Sequence, residues 1–223
     1  MAGPRVAVLI PAGGVGTRIG SRTPKQFLRV GGATILATTL RHFTAHPSVA
    51  AVVVAAPAVH VARTRALVGR RRAVAVVAGG ATRQESVWCA LQAAPADCDV
   101  VVVHDAVRPF ISRALIDAVV TAAAAAGAAI CALPIAETVK RVRDGVVEAT
   151  LDRAGLWAVQ TPQAFRTALL REAHDKARRD GVVGTDDAML VERLGHAVRV
   201  VPGLAGNVKI TTPEDLRRAR ARR

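Results

Sequence analysis

The chain contains no tyrosine, and its four phenylalanines and two tryptophans bring aromatic residues to only 3% of 223 positions. A core built on that supply must rest on Val, Leu, Ile and Ala, and proteins that stack single-stranded nucleic acid on aromatic faces need more platforms. Cysteine is scarcer still. Cys89, Cys98 and Cys131 show neither C-x-x-C spacing nor paired histidines nearby, which excludes a disulfide framework or a cysteine zinc site and predicts a reducing, cytoplasmic compartment. Acidic residues number 17 against 31 Lys plus Arg, a net charge of +14. Much of that excess lies in local runs, Arg70 to Arg72 and the tail Arg217, Arg218, Arg220, Arg222 and Arg223, which read as solvated surface and a basic helix end. Long apolar stretches are absent too. Residues 6–10 are too few for a secretory signal. Residues 118–136 carry no charge, but Gly127 and Pro134 divide them into a helix, a glycine cap and a buried strand. No membrane segment is expected.

What is present is ordinary globular stock: 51% apolar and 22% charged residues, enough for a sizeable core. The length suits one domain over residues 1–223. Short β-branched runs at 5–10, 49–55, 73–77, 100–104 and 128–133 alternate with segments of helical spacing at 35–43, 59–68, 82–91 and 112–126. Continuous apolar strands of this kind are buried on both faces, so the expected fold is α/β, a Rossmann-like, doubly wound, mostly parallel sheet. Thr82 and Glu85 form a capping box for the third helix. Around Asp144-Gly145 the pattern becomes that of a hairpin, giving a β-arm at about 135–155 that reads either as a dimerisation element or as an ordinary surface hairpin. A helix over 165–179, a short helix after Thr185, a strand at 197–201 and a last helix opened by Thr212-Pro213 complete the chain. Trp88 and Trp157 are expected in the core.

The first strand runs into Pro11-Ala12-Gly13-Gly14-Val15-Gly16-Thr17-Arg18, followed by Pro24-Lys25-Gln26. Glycines after a buried strand let backbone N–H groups curl around an anion, with Arg18 and Lys25 adding charge for the same phosphates. It is not a dinucleotide fingerprint, because the third glycine position after Gly14 and Gly16 is Ile19 and no acidic residue follows about 20 positions on. Nor is it a Walker loop, because Lys25 precedes Gln26 rather than Ser or Thr.

Seven segments in order resemble one family, the 2-C-methyl-D-erythritol 4-phosphate cytidylyltransferases. They are Pro24-Lys25-Gln26-Phe27-Leu28, Gly79-Gly80 with Arg83 and Ser86-Val87, and His104-Asp105-Ala106-Val107-Arg108-Pro109. Asp152-Arg153 with Gly155-Leu156-Trp157, Thr161-Pro162-Gln163, Thr185-Asp186-Asp187-Ala188 and Asn207-Val208-Lys209-Ile210-Thr211 follow. Two departures stand out: Gly13 where the family commonly has alanine, and Ala81 where an acidic residue is often found.

The resemblance implies transfer of a cytidylyl group from CTP to methylerythritol phosphate, with Mg2+ bridging the phosphates. It assigns Arg18, Lys25 and Lys209 to catalysis and the backbone of Pro11, Ala12, Gly13, Gly14 and Gly16 to the triphosphate. Gly80, Ala81, Arg83 and Ser86 would face the cytosine. Asp105 would hold either the metal or ribose and substrate hydroxyls. Ala106, Arg108, Thr161, Thr185 and Lys209 would form the acceptor pocket, joined by Thr138 and Arg153 from a partner's arm in a homodimer. His104 reads as a packed residue, because a phosphate nucleophile is already ionised and needs no base. Two alternatives stand beside this reading. A related transferase would use another polyol phosphate. A basic nucleic-acid binder would show steep salt dependence, yet has no use for Pro24-Lys25-Gln26; neither nucleic acid nor membrane is expected as a partner.

Overall fold

The structure, a computed structural model, describes residues 3–14, 23–69, 71 and 73–222. In chain order the elements are β1 (Val6–Pro11), β2 (Arg29–Val30), β3 (Ala33–Thr34), α1 (Ile35–Thr44), β4 (Val49–Ala56), α2 (Val61–Val68) and β5 (Val74–Ala78). Next come α3 (Arg83–Gln92), β6 (Val100–Val103), α4 (Arg113–Ala126), β7 (Ala128–Pro134), β8 (Val139–Arg143) and β9 (Val146–Leu151). The chain ends with β10 (Trp157–Arg166), α5 (Thr167–Arg179), α6 (Asp187–Glu192), β11 (Arg199–Pro202) and α7 (Pro213–Ala221).

Seven strands make one sheet in the order β11-β7-β10-β6-β1-β4-β5. All neighbours run parallel except β10, which is antiparallel to both β6 and β7. Period-two alternation divides each strand between two cores. Val8, Ile10, Val52 and Val102 pack with Leu36 and Phe43 of α1 and Ile116 and Val119 of α4. Ala7, Leu9, Val53 and Val101 pack with Leu91 of α3, Leu170 of α5 and Val191 of α6. Helices on both faces of a mostly parallel sheet define the doubly wound Rossmann-like arrangement. The strand order reverses between β1 and β6, so the crevice at their carboxyl ends is where this topology opens a binding site. Among the described residues no helix is long and apolar enough to cross a membrane.

The expected local signals recur in the coordinates. Thr82 and Glu85 close a capping box, Ser112 caps α4, and Gly127 ends it at φ 95°. Asp144 and Gly145, with φ 49° and 80°, turn the β8–β9 hairpin. Three expectations need correction. Phe165 belongs to β10, and the helix expected from it starts at Thr167. The strand β10 itself was not anticipated, because Pro162 removes a ladder donor; the pairing tolerates it through a register shift between Gln160 and Gln163. Trp157 is 42% exposed rather than in the core, since it pairs with Pro134 at the root of the hairpin, beyond the strand residues packed under helices.

Candidate active site

Three carboxyl-end connections meet at the switch point. After β1, Ala12 continues the sheet by donating to the Ala55 carbonyl at 2.8 Å, and Gly13 and Gly14 follow. The Pro24-Lys25-Gln26 segment folds back on them: buried Gln26 donates from Nε2 to the Ala12 carbonyl at 2.9 Å. A Cβ on Gly14 would stand 3.0 Å from Cε and 3.5 Å from Nζ of Lys25, so the lysine amine lies against the glycine backbone. Gly16 and Arg18 lie outside the described residues.

After β5, Gly79 and Gly80 lead into α3. A Cβ at Gly80 would fall 2.2 Å from Glu85 Cβ, and one at Gly79 would fall 2.7 Å from Ser86 Oγ, so both positions exclude a side chain. The Glu85 carboxylate accepts from the Ala81 and Thr82 amides. Ser86 donates to the Thr82 carbonyl at 2.9 Å while its hydroxyl faces Gly13.

After β6 comes Asp105, 6% exposed and surrounded by cations. Lys209 Nζ is 2.8 Å from Oδ2, Arg108 Nε is 3.5 Å from the same oxygen, and Arg83 Nε is 3.4 Å from Oδ1. Burial alone would push the Asp105 carboxyl up, but Arg83, Lys209 and Arg108 outweigh it and hold it well below the usual carboxylate range. Arg83 moves the opposite way, upward: burial opposes its charge, and Asp187 and Asp105 overcome that opposition. His104 beside them is fully buried, and burial pushes its pKa down to about 4. Its Nε2 meets the Arg108 carbonyl and its Nδ1 the Thr161 hydroxyl. It is a packed, neutral imidazole rather than a base.

Two chain segments deliver Lys209 and Thr161. Asn207, wholly buried, donates to the Thr161 carbonyl at 2.7 Å and to Gln160 Oε1 at 3.2 Å, while Arg108 donates to the Asn207 carbonyl at 2.7 Å. Thr161 in turn accepts from the Asp105 amide. Of the residues chosen from sequence, Pro11 to Gly14, Lys25, Gly80, Ala81, Arg83, Ser86, Asp105, Ala106 and Lys209 line one pocket. Arg108 and Thr161 stand behind its wall. Thr185 is exposed just before α6, and Thr138 and Arg153 are exposed on the hairpin; none of these three is among the lining residues. Sequence reasoning missed Gln26, Gln160 and Asn207 as braces. Gln26 and Asn207 lay inside the quoted motifs, whereas nothing about Gln160 announces its part.

Among the described residues no group of three or more His, Cys, Asp or Glu gathers to hold a metal. Asp105 is the one acidic residue among those described as lining the pocket. A single carboxylate in a phosphate-binding crevice is the donor chemistry expected where a hard divalent ion is carried mainly by phosphate oxygens and water.

A doubly wound sheet whose switch-point crevice joins a glycine turn, a lysine and a cation-ringed aspartate defines an α/β enzyme that handles phosphate-bearing nucleotides. The family model for 2-C-methyl-D-erythritol 4-phosphate cytidylyltransferase matches residues 6–222. The enzyme of that name from Symbiobacterium thermophilum is 50% identical over 216 residues, covering 96% of this chain and 91% of its own. The one from Geobacter metallireducens is 45% identical over 218 residues, covering 95% and 94%. The crystal structure of the Thermus thermophilus enzyme superposes with a TM-score of 0.83 at 43% identity over 97% of this chain and 98% of that one. The 4-diphosphocytidyl-2C-methyl-D-erythritol synthase of Anaerococcus prevotii gives 0.86 at 29% identity over 99% and 98%. The chain belongs to the 2-C-methyl-D-erythritol 4-phosphate cytidylyltransferase family and is a nucleotidyltransferase.

Proposed function

We infer that the chain transfers the cytidylyl group of CTP to 2-C-methyl-D-erythritol 4-phosphate, giving 4-diphosphocytidyl-2-C-methyl-D-erythritol and pyrophosphate in isoprenoid precursor synthesis by the non-mevalonate route. An acceptor phosphate oxygen attacks the α-phosphorus in line, one P–O bond forms, and the bond to pyrophosphate breaks. No proton need be removed, which agrees with a neutral His104. The demand is electrostatic, since two polyanions must approach and charge on the leaving group must be neutralised.

Lys25 and Arg18, with the Ala12 to Gly16 backbone, take the triphosphate. Gly80, Ala81 and Ser86 face the base. Lys209, Arg108, Thr161 and Thr185 take the acceptor, and Thr138 and Arg153 reach the acceptor of the other subunit in a homodimer. Asp105 would help hold Mg2+ beside the phosphates, and the ion would supply charge neutralisation there. The dimer reading is supported by the apolar groups exposed on and beside the hairpin, Val142, Val146, Val147, Trp157 and Val159. The free thiols of Cys89, Cys98 and Cys131 support a cytoplasmic setting.

The observation that carries this reading is the convergence of Lys25 over Gly14 with the Lys209, Arg108 and Arg83 cluster on Asp105 in one crevice. Pyrophosphate release is measured with CTP, Mg2+ and methylerythritol phosphate. Release is expected with that acceptor. No release from folded protein, or release only with ribitol phosphate, overturns the reading.

A further inference from the structure

Behind Arg83 a line of buried polar groups leads away from the pocket. Arg83 Nη1 donates to Asp187 Oδ2 at 2.7 Å while its Nε faces Asp105 at 3.4 Å. Asp187 is buried at the start of α6, and its second oxygen, Oδ1, meets Nε2 of His174 on α5 at 3.0 Å. The His174 ring is fully buried, and its Nδ1 has no partner among the described residues. An ionised carboxylate only accepts, so the hydrogen of this contact sits on Nε2 and His174 donates to Asp187.

The ring has little freedom. Trp88 of α3 stacks on it with centroids 6.2 Å apart and planes at 22°, and Arg178 lies 5.0 Å over the Trp88 ring. Gln84, next to Arg83, donates to the Val182 carbonyl at 3.0 Å and accepts from the Gly184 amide at 2.8 Å. The start of α3, α5 and the approach to α6 are thus tied around this one point.

Nη1 and the Nε–H of a guanidinium point to different sides, so one arginine can serve two carboxylates at once. His174 holds Oδ1 of Asp187 and thereby fixes the carboxylate whose Oδ2 takes Nη1, while Nε of Arg83 faces Asp105. We propose that His174, acting through Asp187, is a positioning residue that anchors one side of Arg83 and so sets Arg83 and Asp105 for the nucleotide. The proposal rests on the cytidylyltransferase reading.

The test is steady-state kinetics of the full chain with CTP, Mg2+ and methylerythritol phosphate, alongside thermal melts. His174→Leu leaves the Asp187 carboxylate free to turn, loosens Arg83 at Asp105, and lowers kcat/KM for CTP by about tenfold. His174→Gln keeps a donor near the Nε2 position and stays within about twofold of the wild type. In an Arg83→Lys background, which cannot bridge the two carboxylates, His174→Leu has no further kinetic effect. Equal losses in the Leu and Gln variants, or the same loss persisting without Arg83, overturn the proposal. If His174→Leu does not fold, Asp187→Asn replaces it in the cycle, with the same expectation and the same overturning result. A wild-type chain that releases no pyrophosphate removes the functional reading itself, and the proposal with it; an active wild type with non-coupled variants removes only the proposal.

Discussion

The crevice and the hairpin are built in opposite ways. In the crevice, Asp105, Thr161 and Asn207 are buried and each is held by at least two other residues from distant parts of the chain. On the hairpin, β8 and β9 hold no fully buried residue, and Val142, Val146 and Val147 are 54%, 69% and 56% exposed. Its tip geometry is well specified by Asp144-Gly145, but an isolated two-stranded hairpin is marginal in water. The contrast teaches that the crevice is built by contacts within one chain, as the proposed nucleotide half of the site requires. The arm carries Thr138 and Arg153, the groups proposed to reach the acceptor, into solvent. Among the described residues Arg153 donates to the Ala136 carbonyl at the arm's own base.

Breaking the crevice carries the largest expected effect. Lys25→Ala removes the amine lying over Gly14 and lowers kcat by about a hundredfold or more, with an unchanged melting temperature; a near-normal rate removes the triphosphate clamp. Gly80→Ala forces a Cβ to 2.2 Å from Glu85 Cβ. It therefore raises KM for CTP by about tenfold and destabilises the start of α3 by about 1–2 kcal/mol, read by initial rates and denaturant melts. On the arm, Arg153→Ala raises KM for the acceptor by about tenfold while KM for CTP stays within about twofold. A matching rise for CTP erases the distinction between the two regions.

A separate effect, on stability rather than rate, appears in the pH dependence of folding. His104 has its pKa depressed from 6.5 to about 4 by burial. The unfolded chain then takes up the proton first, so its contribution is full above the ordinary histidine value and is lost as pH falls toward the folded one. The loss is on the order of 3 kcal/mol. Denaturant melts over that window show a shallower fall in His104→Gln, and an unchanged slope assigns the loss to other groups.

The sheet and most helices were legible because valine-rich strands and capped helices announce themselves locally. Ser112 and Gly127 bounded α4 as read. The site was legible where its residues follow strand ends, as Gly13, Gly80 and Asp105 do. What escaped depends on tertiary context. β10 is polar and interrupted by Pro162, and only its place between β6 and β7 makes it a strand. Gln160 acts through Asn207, 47 residues away, and His174 through Asp187, 13 residues away. No local pattern carries such pairings. Trp157 followed the general rule for large aromatics, and its position at the root of the arm overrode it.

The central claim, that one chain completes the nucleotide half while a second chain's arm completes the acceptor half, is tested most directly by mixing subunits. Lys25→Ala and Arg153→Ala chains are each assayed alone at low acceptor concentration, then unfolded together and refolded. Random pairing puts both lesions in one site of each mixed dimer and leaves the other intact, so activity returns to about a quarter of the wild-type rate. A mixture no more active than the average of its two components contradicts the account.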